Sequence, residues 1–416
     1  MATREQAAVS TTETSDTRRV RVGRQAIFDR NREVHAYELL FRGARIGPGD
    51  EDTGDSDTSN TILDAFVEIG IERLTGGKPA FINFTRRFFV DMPPIPFQPD
   101  AVVLEILEDI PVDTPLIQAV SALREQGYRV AIDDYEFESH WDPLLPLVDI
   151  VKVEITERTL PDIAARLEPL RAQGLTLLAE KVETPEQYHQ LHQCGFDLFQ
   201  GFFFARPDVV ETQGMKEFQP SLVRLLAQVH DPDVEIEELA RLIALDASLS
   251  YKLLRLINSP AVGLRRQVES IQQAVVLLGL ERIRAWATLF VLADRADSPM
   301  ELFNLGLLRA NLCERLARES GLGRPDTAYT VGLLSVLDGM LSMPMDEALR
   351  QLPLPDVVRD AISTMTGDYG RLLQQAIALD QGIELPGMEI PGLGEGRLME
   401  LYLESSDAAF TALATL

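Results

Sequence analysis

One rhythm restricts the fold more than any other feature of this sequence. From Arg24 to about Phe204, short β-branched apolar runs alternate with amphipathic helical stretches. Candidate strands cover Arg24–Asp29, Val34–Arg42, Pro79–Phe84, Val102–Ile106, Tyr128–Asp133, Ile150–Glu154, Leu175–Glu180 and Leu198–Phe204. Several are continuous apolar runs, as expected of strands buried on both faces. Helices are predicted between them over Asn60–Leu74, Thr114–Gln126, Pro161–Gln173 and Pro185–Gln193, with Gly127, Gly174 and Gly195 as stop signals. Successive βα units require a mostly parallel sheet, either doubly wound or closed into a barrel.

After Arg206 and Pro207 the strand-like runs end and Leu/Ala-rich helical stretches continue to the C-terminus, which places a domain boundary near 207–217. Helices are predicted at Ser221–Val229, Ile236–Leu245, Ser248–Asn258, Ser270–Leu278, Glu281–Arg295, Met300–Glu319 and Thr327–Leu341. The fold class expected is α/β plus all-α. A disordered lead-in would span 1–20, an α/β domain built on that sheet 21–210, and a helical domain with a C-terminal extension 218–416.

Charge and cysteine usage narrow the function classes. The chain carries 39 Lys and Arg against 65 Asp and Glu, a net charge of −26, so most of its surface repels a phosphate backbone. Nonspecific nucleic-acid binding is not expected. Cys194 and Cys313 stand far apart and support neither a disulfide framework nor a thiolate zinc site, which fits a cytoplasmic setting. No apolar stretch approaches the roughly 18 residues of a spanning helix, so no membrane contact is expected. The Gly- and Asp-rich segment Gly43–Ser59 does not follow calcium-loop spacing and reads as a solvated insertion.

The chemistry sits where the apolar strands end. Glu38, Asn83, Glu105, Asp133 with Asp134, Lys152, Glu180 with Glu183, and Gln200 fall there, one or two per βα unit. In a barrel the C-terminal strand ends converge on one mouth, so residues far apart in sequence become neighbours. So many carboxylates cannot all stay ionised unless a counter-charge joins them. Oxygen donors without His or Cys favour Mg²⁺, Mn²⁺ or Ca²⁺, and a pair of such ions can activate water for in-line attack on a phosphodiester. Lys152 would hold that water or neutralise charge.

The first half resembles the EAL family of cyclic di-GMP phosphodiesterases, whose fold is a modified TIM barrel. Tyr37-Glu38-Leu39-Leu40-Phe41-Arg42 is similar to the E-x-L-x-R segment, Phe81-Ile82-Asn83-Phe84 to the Asn-bearing strand, and Leu104-Glu105-Ile106 to the strand with a metal-binding Glu. Asp133-Asp134 resembles the aspartate pair, Ala179-Glu180-Lys181-Val182-Glu183 the A-E-G-V-E segment, and Gln200-Gly201-Phe202 through Pro207 the closing Q-G-Y-x-F-x-x-P run. The resemblance implies Glu38, Asn83, Glu105, Asp133, Asp134 and Glu180 as metal ligands. It implies Lys152 and Gln200 at the attacking water, Glu183 behind the ligands, and Arg42 on the substrate. Mg²⁺ or Mn²⁺ would be productive ions and Ca²⁺ a non-productive one.

The chain also departs from that pattern. The D-D-F-G-x-G loop reads Asp133-Asp134-Tyr135-Glu136-Phe137-Glu138, without either glycine. Non-glycine residues resist positive φ, so this loop is expected to take another path. Glu154 stands for the Asp of K-x-D, and Lys181 for the Gly of A-E-G-V-E. An ammonium beside Glu180 would weaken the metal site.

The second half resembles the HDOD domain, an all-α relative of the HD phosphohydrolases, over about 218–379. The resemblance lies in Asp246-Ala247-Ser248 through Asn258-Ser259-Pro260 and in Ser270 through Gly279. The five histidines all lie at or before His230, and Ser335 occupies the position where a His-Asp ligand pair would be sought. Catalysis by this half is not expected, and a protein-interaction role is. Together the halves look like bacterial EAL–HDOD hybrid proteins. The leading expectation is a signalling protein that binds cyclic di-GMP with little or no hydrolysis and acts on a protein partner through its helical half. An active phosphodiesterase making pGpG and a nucleotide-independent scaffold are the alternatives, and a homodimer is left open.

Overall fold

The computed structural model describes residues 21–42, 70–91, 95–156, 163–201, 235–244, 247–264, 266–293 and 300–341, and 343–415 apart from 351, 353, 384, 386, 388 and 389. The expected lead-in, the Gly43–Ser59 insertion, the helix Ser221–Val229 and the interdomain boundary lie outside the described residues. So do the greater part of the helix Asn60–Leu74 and the end of the last strand run.

Eight strands close into a barrel in sequence order. They are β1 (Arg21–Asp29), β2 (Val34–Arg42), β3 (Ala80–Phe84), β4 (Val102–Ile106), β5 (Arg129–Ile132), β6 (Ile150–Glu154), β7 (Thr176–Glu180) and β8 (Leu198–Phe199). β2 through β8 run parallel, whereas β1 is antiparallel to both of its neighbours. A tight hairpin with Arg32 at φ 63° reverses the chain between β1 and β2. Helices Thr114–Glu125, Ile163–Ala172 and Pro185–Cys194 follow β4, β6 and β7 within a residue or two of the predicted bounds. Local chemistry sets the starts of the first and third: Asp113 accepts from the Leu116 amide, and Thr184 forms a reciprocal capping box with Gln187.

Strand pleat explains the interior. One apolar residue per strand points inward: Ile27, Ala36, Phe81, Val103, Ala131, Ile150, Leu178 and Leu198 form a cluster separate from the main core. This layer plugs the barrel, as bulky side chains do in closed parallel barrels. Because side chains alternate with period two, the inward position one step further along each parallel strand opens on the mouth.

The helical half is built around Met300–Ser320, which packs on Pro325–Leu334 and on the C-terminal helix Glu395–Leu413. The helix predicted over Thr327–Leu341 is two helices, Pro325–Leu334 and Leu337–Leu341. Ser335 ends the first, because its hydroxyl donates to the Gly332 carbonyl at 2.7 Å and competes with helix continuation.

The two halves meet along the outer face of β1 and β2. Tyr37 donates to Glu301 Oε2 at 2.7 Å, and Asn304 donates to the same oxygen at 3.1 Å. Arg24 is buried: it donates to the Leu74 carbonyl at 3.0 Å and stands 3.6 Å from Asp380. Its guanidinium lies over the rings of Tyr37 and Phe410, at 5.1 and 4.9 Å. The C-terminal helix adds an Arg73–Asp407 pair at 2.7 Å and a Ser406 hydroxyl bond to the Arg73 carbonyl. Gly23 is required at this seam, because a Cβ there would come within 2.6 Å of the Gln381 carbonyl carbon.

Candidate metal centre at the barrel mouth

Seven polar residues each follow a plug residue by two positions: Glu38, Asn83, Glu105, Asp133, Lys152, Glu180 and Gln200. Strand register sets Asn83 beside Glu105, and Lys152 beside the plug residue Leu178. The Lys152 side chain is fully buried at their centre. Its Nζ stands 2.7 Å from Asp133 Oδ1, 2.8 Å from Glu105 Oε1, 3.1 Å from Glu180 Oε1 and 3.3 Å from Glu38 Oε1. Gln200 donates to Glu38 Oε2 at 2.5 Å and Asn83 to Glu38 Oε1 at 3.3 Å.

Four carboxylates around one ammonium leave excess negative charge in a dry site. Burial drives the Glu105 carboxyl well above its ordinary range, Lys152 opposes that, and Glu38 and Asp133 reinforce it. Glu180 is pushed up to about 8, chiefly by burial, against the pull of Lys152. Burial alone would lower Lys152, but Glu105, Glu38, Glu180 and Asp133 together hold its ammonium well above the usual lysine range.

The donor set fits a hard divalent cation. One ligand oxygen from each of Glu38, Glu105 and Asp133 can lie within 4.8 Å of the others, and the same holds for Asp133, Asp134 and Glu180. Among the described residues, buried Asn83 Oδ1, Glu105 Oε2 and Glu180 Oε2 have no hydrogen-bond partner, an arrangement that costs energy unless something else claims these oxygens. Oxygen-only donors suit Mg²⁺, Mn²⁺ or Ca²⁺.

Other predicted residues fall differently. Asp134 is half-buried beside the cluster in the left-handed region, φ 43°. Glu183 is exposed at the turn before Pro185–Cys194, where its amide donates to Gln187 Oε1, and it lies outside the cluster. Arg42 ends β2, and its side chain lies outside the described residues. Sequence reasoning missed Gln25. β1 runs against the other strands, so its mouth position precedes its plug residue Ile27 by two, and Gln25 pairs in register with Glu38. The antiparallel direction was the signal needed, and a βα rhythm does not carry it.

The loop after β5 holds non-glycine residues in the left-handed region. Its left-handed residues are Asp134 and Phe137 (φ 62°), whereas the missing glycines fall at 136 and 138. The Phe137 ring packs against Tyr135 at 5.1 Å and under the Arg166 guanidinium at 4.0 Å. Glu136, Glu138 and Ser139 are exposed rather than folded into the mouth. The ammonium of Lys181 pairs with Glu154 Oε2 at 2.5 Å, not with Glu180 as the sequence suggested. The two departures at 154 and 181 therefore answer each other.

A closed barrel with a reversed first strand and a mouth of carboxylates and amides, joined to a helical half, defines a two-domain protein with an oxygen-donor centre. The EAL domain matches residues 65–207 and the HDOD domain residues 215–345. The chain is 36% identical to the uncharacterized protein YuxH of Bacillus subtilis, over 86% of this chain and 89% of that protein. It is 32% identical to the cyclic di-GMP phosphodiesterase CdgJ of Vibrio cholerae, over 89% of this chain and 88% of that protein. Among solved structures it is similar to the calcium and cyclic di-GMP complex of Klebsiella pneumoniae BlrP1, at 25% identity and a TM-score of 0.38, over 45% of this chain and 55% of that one. The chain belongs to the family of proteins that join an EAL domain to an HDOD domain. Among the described residues no helix is long and apolar enough to cross a membrane.

Proposed function

We propose that the barrel mouth binds cyclic di-GMP together with divalent cations, hydrolyses it slowly or not at all, and reports its occupancy to a protein partner through the helical half. The observation that carries this reading is the convergence of Glu38, Asn83, Glu105, Asp133, Lys152, Glu180 and Gln200 at the mouth side of the apolar plug. Glu38, Asn83, Glu105 and Asp133 would hold one Mg²⁺ or Mn²⁺ ion, and Asp133, Asp134 and Glu180 a second, with Ca²⁺ as a non-productive substitute. Bound there, such ions neutralise phosphodiester oxygens and make water acidic enough to attack. Lys152 and Gln200 both contact Glu38 and so stand ready to orient that water. Arg42, at the end of β2, would meet the nucleotide.

Slow turnover is supported by the loop after Asp133, which lacks the glycines of its family and holds Asp134 at φ 43°. Transmission is supported by β2 itself. Glu38 faces the mouth, while its neighbour Tyr37 is bonded to Glu301 of the helical half. The absence of His after position 230 supports an interaction role for that half rather than catalysis. Two free cysteines, one of them buried, fit a reducing cytoplasm.

A second reading, an active phosphodiesterase making pGpG, is favoured by the joint presence of Lys152 and Gln200 on Glu38. Calorimetric titration with cyclic di-GMP in Ca²⁺, followed by chromatography of products in Mg²⁺ and Mn²⁺, separates the two. Binding with little or no pGpG is expected. Rapid turnover abolished by Glu38→Ala and Lys152→Ala establishes the second reading instead, and absence of binding with every ion leaves a scaffold.

A further inference from the structure

Lys181 pays a conformational penalty at the mouth. It follows Glu180 directly and sits at φ 54°, a left-handed conformation that a residue with a Cβ adopts at a cost and glycine adopts freely. Its ammonium pairs with Glu154 Oε2 at 2.5 Å. Glu154 lies beside Glu180 in the β6–β7 register, so the pair stands at the rim of the Asp133, Asp134 and Glu180 cluster. The field of that ammonium reaches Asp134: burial, Asp133, Glu154 and Glu108 push this carboxyl up, and Lys181 pulls it down. The buried Lys152 ammonium touches both clusters, at 2.8 Å from Glu105 and 3.1 Å from Glu180, whereas the Lys181–Glu154 pair stands beside Glu180 of the second one.

Resting on the metal-centre reading above, we propose that the Lys181–Glu154 pair makes this a centre of unequal ions, with one divalent ion held firmly at Glu38, Glu105 and Asp133 and a weak second position at Asp133, Asp134 and Glu180. The physical cause is twofold. Lys181 places a permanent positive charge beside the second position, where it repels a dication. It also draws the Glu154 carboxylate into an ion pair and away from that position. Because the Lys181 side chain is 62% exposed, solvent screens its charge, and the expected weakening is on the order of threefold to tenfold rather than complete exclusion.

The test is a Mn²⁺ titration of the full chain, followed by calorimetry and by the electron paramagnetic resonance signal of free Mn²⁺. The wild type should take one ion tightly and a second with at least roughly tenfold weaker affinity. Lys181→Asn removes the charge while tolerating the left-handed backbone, and Lys181→Gly removes both charge and strain. Each should tighten the second ion by the same threefold to tenfold, while Lys181→Arg, which keeps the charge, should not. Thermal melts check that each variant is folded. Two ions of equal affinity in the wild type, or identical second-ion affinities in Lys181→Asn and Lys181→Arg, overturn the inference and leave the metal centre standing. Absence of any bound ion in wild type and variants removes the metal-centre reading itself, and the inference with it.

Discussion

The Tyr37 hydroxyl donates to the Glu301 carboxylate at 2.7 Å, joining a barrel strand to the first turn of the helix Met300–Ser320. Tyr37 and Glu38 are consecutive on β2 and point to opposite faces, so one strand carries both the seam and the mouth. Burial raises the Glu301 carboxyl, while Arg24 and the bonds from Tyr37 and Asn304 oppose the rise. Tyr37→Phe removes a donor from a buried acceptor and should cost about 1–2 kcal/mol in urea denaturation. Hydrogen exchange should quicken near 300–304 and 379–383. Unchanged exchange at both segments would show that the bond does not hold the seam.

Lys152 is the only cation in ion-pair reach of Glu38, Glu105, Asp133 and Glu180 among the described residues. Lys152→Met leaves these buried carboxylates without a counter-charge and should destabilise the metal-free protein by about 3–5 kcal/mol. Millimolar Mn²⁺ or Ca²⁺ should restore more stability to the variant than it adds to the wild type, because an ion then supplies the missing charge. Calorimetric melts with and without divalent ions measure both effects. Equal ion-induced shifts in the two proteins count against a centre built around these carboxylates.

Glu180 gives the centre a pH dependence of defined sign. Its folded value is raised from an ordinary 4.5 to about 8, so the folded protein keeps a proton that the unfolded chain releases. Metal-free stability from this group is therefore highest below about 4.5 and declines as pH rises toward about 8. A divalent ion must displace that proton, so its affinity should climb across the same upper range. Calorimetry of Mn²⁺ binding at pH 6.5, in buffers of different ionisation enthalpy, should detect proton release that fades by about pH 9. A flat affinity from pH 6 to 9 would contradict the assignment.

Gly201 fixes Gln200 from behind. Its φ is 153°, and a Cβ added there would fall 2.2 Å from the Val182 carbonyl oxygen and 2.4 Å from its amide nitrogen. Backbone cannot yield that much without parting β7 from β8. Gly201→Ala should cost about 2–4 kcal/mol and displace Gln200 from Glu38. Urea denaturation measures the first effect, and loss of Mn²⁺ affinity reports the second.

The site was readable from sequence to the extent that strand period alone determines it. Apolar strands of fixed period place Glu38, Asn83, Glu105, Asp133, Lys152, Glu180 and Gln200 two residues past the plug on the same inward face, and period two is visible in the letters. Three things were not. Strand direction is a tertiary property, set by how β1 closes against β8, so Gln25 went unnoticed. The partner of Lys181 depends on side-chain reach across β6 and β7, which sequence adjacency to Glu180 obscured. The C-terminal helix covers the barrel through Arg73, Gly76 and Phe410, contacts that no local pattern encodes.

Gln25 supplies the last test. It is half-buried at the mouth end of β1, opposite Glu38 in the β1–β2 register, and none of the barrel's plug layer depends on it. A neutral amide there can donate to and accept from a nucleotide without adding charge to a crowded site. Gln25→Ala should therefore leave stability within about 0.5 kcal/mol, as expected of a substitution outside the core. It should weaken cyclic di-GMP about fivefold to tenfold in Ca²⁺, the loss of roughly one hydrogen bond. Mn²⁺ affinity measured without nucleotide should stay unchanged, because Gln25 is not among the carboxylate ligands. Parallel losses of ion and nucleotide would instead place Gln25 in support of Glu38, and unchanged nucleotide affinity would remove it from the site.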